Sequence, residues 1–96
     1  NDHPAIISNK GTRLWYNHGV LHRTTGPAFI FGLRDGQKIQ DDQWWINGVQ
    51  VTKEVNQYAQ GVGVSPEKMT DSDIQLMWIA LNLQYDSEGK PFFKNQ

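Results

Sequence analysis

The sequence contains no cysteine among its 96 residues. That absence excludes a disulfide framework, a thiol nucleophile and a cysteine-based zinc site, and it fits a reducing compartment. The chain also lacks a strong charge of one sign, because nine Lys and Arg stand against ten Asp and Glu. A net charge of -1 gives no global field that would draw the protein onto nucleic acid or an anionic membrane. No signal-peptide core or membrane-length apolar run is present, so we expect a soluble, cytoplasmic protein.

What the chain does have is a high aromatic content, 11% with four tryptophans, which is typical of a folded domain. Its length predicts one compact domain over residues 1–96. The residue pattern divides that domain into a β-rich part, 1–51, and a helical part, 52–96.

One turn sequence occurs twice. "WYNHGV" at residues 15–20 returns as "WWINGV" at 44–49, an offset of 29 residues. His18-Gly19 and Asn47-Gly48 suit two-residue type I′ turns, which need a positive φ at both central positions. The flanking residues are aromatic or β-branched, so each copy predicts a β-hairpin.

A second echo precedes each hairpin: "PAII" at 4–7 and "PAFIF" at 27–31. Each reads as a short strand whose opening proline lies where a missing N–H does least harm. The first half therefore predicts about two stacked copies of one unit, because a unit of this size cannot bury its apolar face alone. We expect an antiparallel meander of about five or six short strands.

The helical part begins with "TKEVNQYA" at 52–59, a predicted helix with Thr52 as its N-cap, ended by the glycines of "QGVGV". Ser65-Pro66-Glu67 has the pattern of a second helix start. Thr70 is predicted to cap a third helix over roughly 71–84. That helix is apolar on most sides, so it is either clamped between other elements or keeps one face for a partner.

The closing segment "DSEGKPFFKNQ" is predicted to be a turn and a tail held by Phe92 and Phe93. The fold class that follows is α+β: an antiparallel β-meander of short hairpin repeats followed by C-terminal helices.

The segment "WYNHGVLHRTTGPAFIF" resembles the HR-x-x-GPA repeats of many bacteriophage and giant-virus proteins, a MORN-like class of β-hairpin repeat. The matching residues are Trp15, Tyr16, Gly19, His22, Arg23, Gly26, Pro27 and Ala28. The second copy departs from the pattern, since Val51-Thr52 replaces His-Arg. The resemblance covers roughly residues 3–55 and implies a hairpin-repeat fold and a viral origin, but no shared activity.

The sequence gives little indication of a catalytic site or a metal site. His18 and His22 flank a tight turn and could hold a metal only with a third ligand such as Asp2 or His3. The repeat pattern gives His22 a structural role instead, bonding backbone at a strand end. No serine lies in a nucleophile motif. We therefore expect a protein that is not an enzyme and has no cofactor.

Adjacent strand residues face opposite sides of a sheet, so each Trp-Tyr or Trp-Trp pair must send one ring inward and one outward. Trp15 and Trp44 are the predicted inward pair, because both copies keep Trp there. Tyr16 and Trp45 then form an exposed aromatic strip. The predicted partner-binding residues are Tyr16, Trp45, Arg13, Arg23 and, on the apolar helix, Trp78. For Arg23 the alternative is a structural role, satisfying turn carbonyls or stacking on Trp15.

These features predict a small protein-interaction module, acting on a host or viral protein and forming a two-fold homodimer. The alternative function is binding of RNA or single-stranded DNA, with bases stacking on the aromatic strip. The balanced charge makes nucleic acid the less favoured partner.

Overall fold

The computed structural model describes residues 4–38 and 40–94, and it has the predicted α+β architecture. Nine short strands come first, then two α-helices and a closing hairpin. The strands are β1 (Ile6–Ile7), β2 (Arg13–Leu14), β3 (Tyr16–Asn17), β4 (Val20–Leu21), β5 (Phe29–Ile30), β6 (Leu33–Arg34), β7 (Gln37–Lys38), β8 (Trp45–Ile46), β9 (Val49–Gln50), β10 (Leu83–Tyr85) and β11 (Pro91–Phe93). The helices are α1 (Thr52–Val62), a single 3-10 turn (Pro66–Lys68) and α2 (Asp71–Ala80). The described part of the chain thus has more and shorter strands than the five or six expected.

The repeated turn is confirmed in both copies. His18 and Gly19 have φ values of 52° and 81°, and Asn47 and Gly48 have 48° and 82°, as type I′ turns require. The two hairpins share one register: Tyr16 pairs with Leu21 as Trp45 pairs with Gln50. The 29-residue offset is therefore a structural repeat.

The Pro-Ala strands also occupy equivalent places. β1 and β5 lie on either side of β2 in a three-stranded antiparallel sheet. Phe29 of β5 makes a further antiparallel bridge to Gln43, directly before Trp44. We call residues 4–26 the first unit and residues 27–51 the second unit.

A third type I′ hairpin, β6–β7, was not predicted. Its turn is Asp35-Gly36, with φ values of 52° and 78°. Asp-Gly is among the strongest short hairpin signals in a sequence, so this turn was open to prediction. Nearby, Gly32 is required by a close backbone approach, because a Cβ there would lie 2.4 Å from the carbonyl oxygen of Lys10.

Helix α1 differs from its prediction at both ends. The N-cap is Val51, and Thr52 is the first helical residue, whose Oγ1 instead accepts a hydrogen bond from the N–H of Trp44 at 2.9 Å. Gly61 does not break the helix, which continues to Val62 and ends at Gly63 in the left-handed conformation. The Ser65-Pro66-Glu67 signal produces only the 3-10 turn, without a side-chain cap.

Helix α2 begins as predicted, with a reciprocal capping box between Thr70 and Asp73. It ends four residues early, since Asn82 takes a positive φ of 58°. The segment predicted as the end of that helix and a tail is instead the β10–β11 hairpin, in which Leu83 pairs with Phe93. Phe93 is buried as expected, whereas Phe92 is 46% exposed.

One core joins the β-rich part to the helical part. Its buried members are Trp44, Ile46, Val51, Val55, Ile74, Met77, Trp78 and Phe93. The rings of Trp44 and Trp78 meet edge to face with centroids 5.9 Å apart. The indole N–H of Trp78 also donates to the carbonyl oxygen of Thr24 at 2.7 Å, which ties α2 to the first unit. The core is thus built mainly on the second unit and the two helices.

Candidate partner-binding surface

The two aromatic pairs alternate as the strand geometry predicts. Trp15 and Trp44 are buried, with 6% and 2% of their surface exposed. Tyr16 is 43% exposed, while Trp45 is half-buried and its indole N–H donates to Oε1 of Gln43 at 2.9 Å. The outward rings therefore occupy equivalent strand positions in successive units, and we call Tyr16 and Trp45 the aromatic strip. The choice of Trp15 and Trp44 as the inward pair is confirmed.

Arg23 has the structural role that was the alternative to partner binding. Its guanidinium lies 3.8 Å from the centre of the Trp15 ring, and Nη1 donates to the carbonyl oxygen of Pro27 at 3.0 Å. Cation–π stacking and a turn hydrogen bond hold the side chain in place. Gly26 leaves the room it needs, because a Cβ there would lie 2.8 Å from Nη1.

His22 bonds backbone, as predicted. Its Nδ1 accepts a hydrogen bond from the N–H of Asn47 at 2.9 Å, so the first unit holds the turn of the second. Burial lowers the pKa of His22 below its ordinary value of 6.5. This bond requires an unprotonated Nδ1.

No group of three metal-ligating side chains occurs within residues 4–38 and 40–94. Asp2 and His3, the third ligands considered for a metal site, lie outside the described residues.

Of the other predicted site residues, Arg13 is exposed on β2, where it pairs with Ile7 and Ile30. Trp78 is buried, with 8% of its surface exposed, so it belongs to the core and does not join the aromatic strip. Tyr16, Trp45 and Arg13 are therefore accessible to a partner. Arg23 is held in the turn, and Trp78 is part of the core.

Two further surface features lie outside the predicted site residues. The outer side of α2 exposes Leu76 and Ile79, which are 59% and 74% accessible. A cleft of about 470 Å³ lies beside the C-terminal end of α1. Its walls include Trp44, Pro66 and an ion pair between Lys38 and Asp42 with an N–O distance of 2.6 Å. The all-round apolar pattern of α2 pointed to the first feature, whereas no local pattern marks a cleft assembled from distant segments.

Within the described residues, neither helix has the length and apolar character needed to cross a membrane. Comparison with known proteins found no matching family model, curated protein or solved structure.

Proposed function

We propose that this protein is a non-enzymatic interaction module that binds a protein partner through the aromatic strip. The observation that carries the proposal is the 43% exposure of Tyr16 at the position where its repeat equivalent, Trp45, also faces outward. Rigid aromatic side chains on a hydrogen-bonded hairpin lose little conformational entropy on binding, and Tyr and Trp dominate protein interfaces. Arg13 adds an exposed cation on a neighbouring strand.

Nucleic acid remains the second candidate, and the surroundings of the strip count against it. A nucleic-acid-binding face would use Arg13, Arg23, Arg34 and Lys38 for phosphate contacts, and two of these are engaged: Arg23 in its turn and Lys38 with Asp42. Phosphate binding makes affinity fall steeply with salt, whereas an aromatic protein interface gives a shallow dependence. A salt titration of the complex therefore separates the two functions.

The test is an affinity capture from host lysate with the full chain as bait, with and without nuclease. A protein captured in both conditions, and lost with Tyr16→Ala and Trp45→Ala, supports the proposal; each substitution should cost about 2 kcal/mol of binding. Phe92→Ala is the matched control, since it removes an aromatic side chain of similar exposure, 46%, from the closing hairpin. Capture abolished by nuclease favours the nucleic-acid function. Unchanged capture by both strip variants removes the strip from recognition.

Self-association is part of the same proposal and concerns α2. Leu76 and Ile79 lie one helical turn apart and are mostly exposed, so a two-fold contact between two α2 helices would cover them. Light scattering should show a dimer at high micromolar concentration and a monomer after Ile79→Lys. A wild-type monomer at that concentration contradicts the dimer. A viral origin and action in a host cytoplasm rest on the repeat resemblance alone.

A further inference from the structure

The second unit docks on the first through two sets of contacts. At one, strand β5 pairs with β2, with Phe29 opposite Leu14 and Ile30 opposite Arg13. At the other, the Asn47-Gly48 turn lies against the return strand of the first unit. Three hydrogen bonds connect them: Asn47 N–H to His22 Nδ1 at 2.9 Å, Gly48 N–H to Leu21 O at 2.8 Å, and Arg23 N–H to Trp45 O at 3.0 Å.

Within residues 4–38 and 40–94, no second hairpin docks on the same groups of the first unit. The repeat equivalents of Asn47, Gly48 and the Trp45 carbonyl are His18, Gly19 and the Tyr16 carbonyl. None of these three groups has a hydrogen-bond partner outside its own hairpin within the part of the chain that the structure describes. A Cβ on Gly48 would lie 3.2 Å from Val20, whereas a Cβ on Gly19 would meet nothing within 4 Å.

The strand contact is open as well. β1 is the first unit's equivalent of β5. In the described sheet β1 pairs with β2 along one edge, and its other edge has no strand partner. Ile6 and Ile7 on that edge are 49% and 63% exposed. We call the β1 edge together with the His18-Gly19 turn the open end.

We infer that the open end is a docking site for another β-hairpin unit of the same type. The occupied version of this site within the same molecule defines what the partner must supply. It needs a strand to pair with β1, followed by a return strand offering a carbonyl acceptor, an N–H donor and an imidazole acceptor. A hairpin with the sequence of residues 13–23, "RLWYNHGVLHR", has all of these.

A second copy of this protein does not supply that hairpin without unfolding. Its own residues 13–23 are already engaged by its second unit, through the contacts just described. Charge does not oppose docking either, since the groups at the open end are backbone amides, a carbonyl and isoleucine side chains. The inference goes beyond the aromatic strip, because it uses the backbone of Tyr16 and the β1 edge but no strip side chain.

The first measurement is amide hydrogen exchange on the full chain. His18 and Gly19 should exchange at least about tenfold faster than Asn47 and Gly48, since only the second turn is covered.

A synthetic peptide of residues 13–26 is then added to the labelled protein. It should slow exchange at His18, Gly19, Ile6 and Ile7, and a His22→Ala peptide should bind about two- to tenfold more weakly because it lacks the imidazole acceptor.

A second arm covers the case in which the isolated peptide does not form a hairpin. Residues 4–26 are duplicated ahead of Pro4, so that the Gly26-Pro4 junction reproduces the natural Gly26-Pro27 junction. The added unit should protect the original His18 and Gly19 amides to the level of Asn47 and Gly48. Protection of His18 and Gly19 in either arm supports the docking site. No protection in either arm, or His18 and Gly19 amides already as protected as their equivalents in the unmodified protein, overturns the docking site itself.

These outcomes are independent of the proposed function. Tyr16→Ala removes the ring of the aromatic strip but keeps the carbonyl at the open end, so loss of partner capture and loss of hairpin docking are separately observable.

Discussion

The two units have the same turn in different surroundings. The comparison separates what the local sequence contributes to the fold from what neighbouring elements contribute. The second unit lies between the first unit and the helices, so Trp44 and Ile46 are 2% and 0% exposed. Among the described residues the first unit has a neighbouring unit on one side only, and Trp15 packs under the guanidinium of Arg23. The hairpin is therefore a local property of the sequence, whereas the depth of the core depends on the number of neighbours.

The largest expected effect separates the two inward tryptophans. Trp44→Ala should lower the free energy of unfolding by about 3–5 kcal/mol, because it leaves a cavity against Trp78 and removes their edge-to-face contact. Trp15→Ala should cost less, since Trp15 lies outside the main core cluster. Urea unfolding of both variants measures the difference. Equal losses would show that the two units contribute equally to the core.

The turn glycines should give the next largest effect. Gly48→Val should cost about 2–3 kcal/mol, because a β-branched residue is strained at positive φ and its Cβ would also crowd Val20. Gly19→Val carries the same backbone strain but meets open space, so it should cost about 1–2 kcal/mol. Thermal unfolding compares the pair. Wild-type stability in both variants would contradict the repeat hairpins themselves.

The hydrogen bond from Asn47 to His22, which links the two units, should contribute less to stability than the turn glycines do. Its contribution should also depend on pH. His22→Ala should cost about 1 kcal/mol by leaving the Asn47 N–H without its acceptor. Because burial lowers the folded-state pKa of His22, the unfolded state binds the proton more tightly. The contribution of His22 is therefore present above pH 6.5 and is lost as the pH falls below that value.

Thermal unfolding at pH 7.5 and pH 5.5 measures this effect as the difference between the wild type and His22→Ala. His18→Asn is the control, since it removes the exposed histidine of the other turn while keeping a residue that accepts a positive φ. An acid loss of the same size in wild type and His22→Ala would show that His22 does not carry the pH dependence.

The outward rings should give the smallest change in stability. Tyr16→Ala should change the free energy of unfolding by no more than about 0.5 kcal/mol, as is usual at exposed positions. Trp45→Ala should cost about 1 kcal/mol, because its ring is half-buried and bonded to Gln43. Equilibrium unfolding checks both. A large loss for Tyr16→Ala would place its ring in the fold and not on the surface.

Much of the β-rich part was predictable because its signals are local. The His-Gly and Asn-Gly turns, the Trp alternation and the turn contact of Arg23 follow from short-range sterics and hydrogen bonding, whereas the role of His22 was indicated by the repeat pattern and its partner, Asn47, lies 25 residues away. The Thr70 cap is local in the same sense. The Asp35-Gly36 hairpin carries a signal of equal strength, and it was missed only because it lies outside the repeated motif.

The helical part was predicted less well, because its boundaries depend on contacts distant in sequence. Thr52 is a residue type that often caps helices, but its hydroxyl oxygen accepts a hydrogen bond from the backbone N–H of Trp44 instead. Gly61 is unfavourable in a helix, yet α1 is held past it by the burial of Val55 and Ala59. The β10–β11 hairpin is fixed to the second unit by Asn47 Nδ2, which donates to the carbonyl oxygen of Gly89 at 2.7 Å. A hydrogen bond between residues this far apart in the sequence cannot be predicted from a local pattern.

The replacement of His-Arg by Val51-Thr52 has a consequence for assembly. At this position the polypeptide turns into α1, and Trp44, Ile46 and Val51 of the second unit are buried in the core that they share with the helices. The proposed docking at the open end would therefore give the molecule a direction, with one end that accepts a unit and one that does not. An array of such hairpins that docked at the open end would end at this protein, as a polymer ends at a chain stopper.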